Sequence, residues 1–163
     1  MPGPPDEQTL ELLRSRSGLA VDAEGNFLHR GTPIRHARTL AQLWGSLARR
    51  DDGRYEVRIG RERAYVTVDE TPWAVRGLEE REPGEPPVLL LAGGGREPLA
   101  PDTLRLGADG VVRCTLARGE PARFTRAGQA ALSPWLDEDP PGSGCHVITL
   151  GQRRFPIADD DPR

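Results

Sequence analysis

One pattern occurs twice in the chain, and the repetition limits the folds open to it. Arg30-Gly-x-Pro-x-Arg35-x-x-Arg38 returns as Arg118-Gly-x-Pro-x-Arg123-x-x-Arg126. Ahead of each copy lies a turn rich in Asp and Gly, Asp22-Ala-Glu-Gly25 and Gly107-Ala-Asp-Gly110, flanked by apolar residues. Alternation around such a turn has the two-residue period of a strand, so each reads as the tip of a β-hairpin. Behind each copy a helix is expected. Further on, Ile59-Gly-Arg-Glu-Arg63 is answered by Leu150-Gly-Gln-Arg-Arg154. Matching residue types alone would count for little in a chain with 19 Gly and 16 Pro whose 22 basic residues are all Arg. The matching order of elements gives the repeat its weight. The expected fold is α+β: two related β-hairpin–helix–β-hairpin modules packed into one pseudo-symmetric domain. Neither half alone is large enough to bury much core.

The chain divides accordingly. Residues 1–17 read as a tail, disordered over 1–5, with a short helix at Thr9–Arg16 that gathers Leu10, Leu12 and Leu13. The first module spans 18–78. Leu40, Leu43, Trp44 and Leu47 repeat at i, i+3, i+4, i+7, the stripe of an amphipathic helix, and Thr39-Leu-Ala-Gln42 fits a capping box, with a start two or three residues earlier left open. The run Arg49-Arg-Asp-Asp-Gly53 ends that helix. A second hairpin follows, with Tyr55, Val57 and Ile59 alternating with charged residues and Arg63–Asp69 returning. Residues 79–102 form a Pro/Gly-rich connector holding one short strand, Val88–Leu91. The second module spans 103–157, with a helix after Arg126 and a closing hairpin, Cys145–Leu150 with Arg153–Ile157. Residues 158–163 read as a frayed acidic tail.

With 22 basic against 25 acidic residues the net charge is −3. Broad nucleic-acid binding needs many cationic contacts to phosphate, so it is not expected. No apolar run approaches a membrane span, and the N-terminus lacks the basic and apolar regions of a secretory signal. The expectation is a cytoplasmic protein without membrane contact. Cys114 and Cys145 stand singly, and no His, Cys or carboxylate spacing makes a metal site, so no metal or cofactor is expected.

The segment Gly18–Val75 holds Gly18-x-x-x-Asp-x-x-Gly25, Gly31-x-Pro-Ile-Arg35, Leu43-Trp-x-x-Leu-x-Arg-Arg-Asp-Asp-Gly-Arg-Tyr55 and Val66-x-Val-Asp-x-x-Pro-Trp73. With these motifs it resembles an uncharacterised bacterial family, domain of unknown function 1285. Ala122-Arg-Phe-Thr-Arg126 and Phe155-Pro-Ile157 resemble that family's second half. The likeness runs from Gly18 to Ile157. It departs from the family in a shortened Pro/Gly-rich middle and in Trp73, where Phe is usual. The resemblance implies two related α+β motifs. It implies no activity; a signalling or ligand-binding role is suggested for such proteins.

Two sets of arginines, Arg30, Arg35, Arg38 and Arg118, Arg123, Arg126, lie at or before the expected helix starts. A helix N-terminus presents free N–H groups and a partial positive charge, so arginines beside it would complete a site for phosphate or carboxylate. Against this stands a structural reading in which Arg35 and Arg123 form ion pairs with turn carboxylates such as Asp22, Asp51, Asp52 or Asp109. His29, His36 and Trp73 are candidate pocket residues. Trp44, Trp73 and Trp135 equally suit a core that has only three Trp, two Tyr and three Phe to draw on. No catalytic set stands out. The favoured function is a non-catalytic binding or regulatory module for an anionic small molecule or an acidic protein surface. Two alternatives are a small enzyme acting on a phosphorylated or carboxylated substrate, with His29 or His36 as base, and a structural subunit pairing through an edge strand such as Arg153–Ile157. Oligomeric state is not set by the sequence.

Overall fold

The computed structural model describes residues 6–160. The expected disorder at 1–5, the end of the acidic tail, and the side chains of Leu12 and Leu13 lie outside the described residues. The chain forms two compact units, 1–72 and 73–163.

The first unit runs α1 (Glu7–Ser15), β1 (Leu19–Val21), β2 (Phe27–His29), β3 (Thr32–Pro33), α2 (Ala37–Ser46), β4 (Ala48–Arg49), β5 (Tyr55–Ile59) and β6 (Glu62–Val68). Its strands form one sheet in the order β3-β2-β1-β6-β5-β4. The β1–β2 hairpin is built by its turn. The Asp22 carboxylate accepts the N–H groups of Glu24 (3.0 Å) and Asn26 (2.9 Å), and Gly25 takes a left-handed φ of 78°. The β5–β6 hairpin lies where the alternation places it, with Tyr55 opposite Val66. What local pattern does not show is that β1 runs parallel to β6, Leu19 opposite Val66. Helix α2 buries Leu43, and Leu47 is buried just beyond its end. Trp44 is half-buried and meets Phe27 edge to face, ring centres 4.8 Å apart. Val21, Phe27, Val57 and Val66 complete this core.

Helix α2 takes the earlier start left open: its cap is His36, whose Nδ1 accepts the Thr39 N–H at 3.3 Å. Its end is corrected. The helix stops at Ser46, because Ala48–Arg49 is drawn into the sheet beside β5.

The second unit runs β7 (Ala74–Glu79), β8 (Val88–Leu91), β9 (Arg96–Pro98), a 3-10 turn at Pro101–Thr103, β10 (Arg105–Gly107), β11 (Val112–Thr115), β12 (Pro121–Phe124), α3 (Arg126–Leu132), a 3-10 turn at Ser133–Trp135, β13 (Leu136–Glu138), β14 (His146–Leu150), β15 (Arg153–Pro156) and β16 (Ala158–Asp160). Seven strands form a sheet in the order β16-β10-β11-β12-β7-β8-β9, and β13-β14-β15 form a small one. Phe124, Leu132, Leu104, Leu89, Val75 and Ile148 are fully buried. The frayed acidic tail is corrected here: its first residues are β16, paired parallel with β10, Arg105 opposite Ala158. The reading of hairpin, helix and hairpin also missed β3, β4, β9, β12 and β13. These strands have two to four residues, too few to show a period of two, and exist through their neighbours. The chain is thus α+β and mostly sheet. No described helix is long and apolar enough to cross a membrane.

Candidate functional site

In the first unit the arginine-rich joint is a tight reversal followed by a helix start. Arg30 and Gly31 both have positive φ, 49° and 81°, and His29 pairs with Thr32 across them. That is the two-residue hairpin whose twist matches the flanking strands. A left-handed Arg is unusual, because a side chain there strains the backbone. Arg30 is held in place by its N–H, which donates to the Gly18 carbonyl at 2.8 Å. Gly18 lies so close that a Cβ on it would stand 2.8 Å from the Arg30 Cγ. The chain then leaves β3, passes the exposed Arg35, and enters α2 at His36. Arg38 is the second residue of the helix and is also exposed. Arg30, Arg35 and Arg38 make no ion pair among the described residues. Two of the turn carboxylates suggested as partners for Arg35 are engaged elsewhere. Asp22 caps its own turn, and Asp52 binds Arg54 at 2.7 Å. His29 is exposed at the end of β2.

The second copy is built differently. Arg118 lays its guanidinium 3.8 Å above the Trp73 ring and reaches Glu120 at 3.3 Å. Trp73, read either as a core anchor or as a pocket edge, is buried beneath it. Arg123 is half-buried in β12, and its N–H donates to the Trp73 carbonyl at 2.9 Å. Arg126 opens α3 and is exposed. So the structure brings Trp73, Arg118 and Arg123 together as a packed set, whereas Arg30, Arg35 and Arg38 stay open. Asp109, a suggested partner of the second set, is held by Arg113 at 2.9 Å.

No protein-family model matches the chain, and no curated protein matches it. Two solved structures do. A DUF1285 family protein from Silicibacter pomeroyi DSS-3 superposes with a TM-score of 0.60 at 17% identity, covering 88% of this chain and 80% of its own. A DUF1285 family protein from Shewanella baltica OS155 gives 0.53 at 21% identity, covering 68% and 86%. The fold is that of the DUF1285 proteins. The resemblance read from the Gly18–Val75 motifs therefore extends to three dimensions.

On this DUF1285 fold the sequence reading missed a charged network in the first unit. Glu11 of α1 accepts from the Tyr65 hydroxyl at 2.7 Å and from Arg54 at 2.8 Å. Arg54 also grips Asp52 through Nε and Nη2, and its guanidinium lies 4.2 Å over the Tyr65 ring. Hydrogen bonds from Tyr65 and then Arg54 lower the Glu11 carboxyl below its ordinary value. Arg54 likewise holds Asp52 down at about 2. Burial raises the Tyr65 hydroxyl. The network pins α1 to β5 and β6, beside a groove of about 400 Å³ that Ser15, Arg54, Tyr65, Thr67 and Glu70 help to line. Its groups satisfy one another, so we read it as structural. Helix position 11 meets residues 54 and 65 only in the folded chain, and no local signal marks it. Cys114 is buried, its thiol pushed up to about 12 by desolvation and the Glu97 charge, while Cys145 is exposed. Among the described residues no cluster of His, Cys, Asp and Glu is placed to hold a metal ion.

Proposed function

We propose that this protein is a non-catalytic binding module that takes an anionic group, on a small molecule or an acidic protein surface, at the start of α2. One observation carries the reading. Arg30, Arg35 and Arg38 are exposed and unpaired among the described residues, beside a helix start with no acidic residue in its first turn. First-turn amides and arginine forks favour the same ligand, a phosphate or carboxylate. In this reading Arg126 is the one exposed arginine of the second set at a helix start, Arg118 and Arg123 being engaged in packing.

The test is a thermal-shift screen of nucleotides, inorganic phosphate and small carboxylic acids, run on the parent and on Arg35→Ala/Arg38→Ala. We expect the double variant to melt within about 2 °C of the parent, as exposed substitutions do, and to lose the anion-dependent stabilisation. If no anion stabilises the parent, or the double variant keeps the effect, the proposal is wrong. A catalytic role for His36 draws no support, because its Nδ1 is committed to the helix cap. The structural-subunit reading retains one observation: β15 lies at the edge of its sheet. A monomer at micromolar concentration by light scattering would remove it.

We also read the two units as products of duplication. What supports this is the strand order: β3-β2-β1-β6 in one unit and β12-β11-β10-β16 in the other, each ending in a parallel pair. A helix follows β3 in one and β12 in the other.

A further inference from the structure

The second unit contains a groove of about 320 Å³ that the arginine joint does not involve. Its walls are Pro86, Pro101, Leu150 and Phe155, and its two charged groups are Asp102 and Arg153. Pro101 and Leu150 are buried, so those walls are fixed. One side is a close backbone approach, Gly84 against Gly151. A Cβ on Gly151 would stand 3.1 Å from the Gly84 Cα, so no side chain intrudes there. Arg153 rests over the Phe155 ring with its guanidinium carbon 4.8 Å from the ring centre, which leaves the fork of the guanidinium to act. Asp102 stands on the 3-10 turn at Pro101–Thr103. Asp102 and Arg153 carry opposite charge and line the same groove. Yet they form no ion pair with each other or with any described residue.

Opposite charges that share a groove without meeting are suited to a ligand that carries both signs itself. We propose that this groove binds a small zwitterion with an apolar body, an α-amino acid with an aromatic or aliphatic side chain. The ligand carboxylate takes the Arg153 guanidinium, its ammonium takes Asp102, and its side chain lies against Pro86, Pro101 and Phe155. The volume, at the lower end of small-molecule sites, suits a ligand the size of an amino acid. The groove is half open, so affinity is modest.

The experiment is a two-dimensional amide NMR titration of the full chain with L-phenylalanine. Amides of Gly84, Asp102, Gly151 and Arg153 shift together and saturate with a Kd near 1 mM, on the order expected for a few polar contacts and one apolar face. Phenethylamine and 3-phenylpropionate, each lacking one charge, bind about tenfold more weakly, a difference of one charge-assisted contact. Arg153→Gln and Asp102→Asn each weaken L-phenylalanine to a similar extent and leave the melting temperature unchanged, since both side chains are exposed. Absence of a saturable shift at these amides overturns the proposal. So does equal binding of the single-charge analogues, or parent-like binding by both variants.

Discussion

Gly128 decides how α3 sits on its sheet. A Cβ there would overlap the Val75 carbonyl oxygen of β7. That oxygen already accepts the Thr125 N–H at 3.0 Å and the Thr125 hydroxyl at 3.1 Å. The same hydroxyl accepts the Gly128 N–H at 3.0 Å, so one threonine caps the helix and staples it to the strand. Gly in a helix interior costs about 1 kcal/mol relative to Ala, so propensity alone would favour the change. Here the overlap wins, because the obstacle is backbone and cannot swing aside. Gly128→Ala is expected to lower stability by about 1–3 kcal/mol, the usual cost of overpacking, read as a lower urea midpoint at unchanged slope. In the sequence Gly128 is only a weak spot in a short helix, because Val75 lies far away along the chain.

Among the elements, β16 is the clearest case of structure that local pattern hides. Ala-Asp-Asp has no strand propensity, and all three residues are exposed. It is a strand because β10 offers an unpaired edge in parallel register, Leu106 opposite Asp159. Two aspartates on an outer strand also discourage pairing with another chain. A chain ended after Ile157 is expected to lose about 1 kcal/mol, the order of one or two net hydrogen bonds. Hydrogen exchange would locate the change: amides of β10 lose protection and those of β11, paired on its other side by β12, keep theirs. A truncated chain with unaltered β10 protection would show that β16 contributes nothing. The same logic explains β3, whose Thr32-Pro33 pair tolerates proline because it stands at a sheet edge.

For the whole molecule, charge is nearly balanced and every base is an arginine, so acid is the condition that unbalances it. Asp52 and Glu11 in the first unit, and Asp109 in the second, are held below their ordinary values, chiefly by hydrogen bonds from Arg54, Tyr65 and Arg113 respectively. Below its ordinary value of 3.8 the unfolded Asp52 takes up a proton that the folded form resists until about 2. The unfolded state then binds more protons, and falling pH favours it. The contribution of these groups is complete only above their ordinary values, 3.8 for Asp52 and 4.5 for Glu11, and is lost as the pH falls towards 2. The melting temperature is expected to drop through that window. In Arg54→Met the drop is shallower, because both Asp52 and Glu11 lose a partner. A parallel pH profile for the variant would show that Arg54 is not the cause.

What the sequence determined by itself is whatever a short window can specify. The β1–β2 and β5–β6 hairpins follow from alternation and turn residues, the α2 stripe from its period, and the α+β class from their succession. The arginine joint was visible for the same reason, as a pattern within nine residues. Tertiary structure alone decided the parallel pairs β1–β6 and β10–β16, the two-residue strands, and the pinning of Glu11 by Arg54 and Tyr65. It also decided which arginines remain open: Arg118 has an aromatic ring to cover, and Arg35 makes no ion pair among the described residues. The physical reason is common to all of these. Parallel pairing and ion pairing depend on which groups meet across long stretches of chain, and the free energy of a meeting is not written in the residues on either side of it.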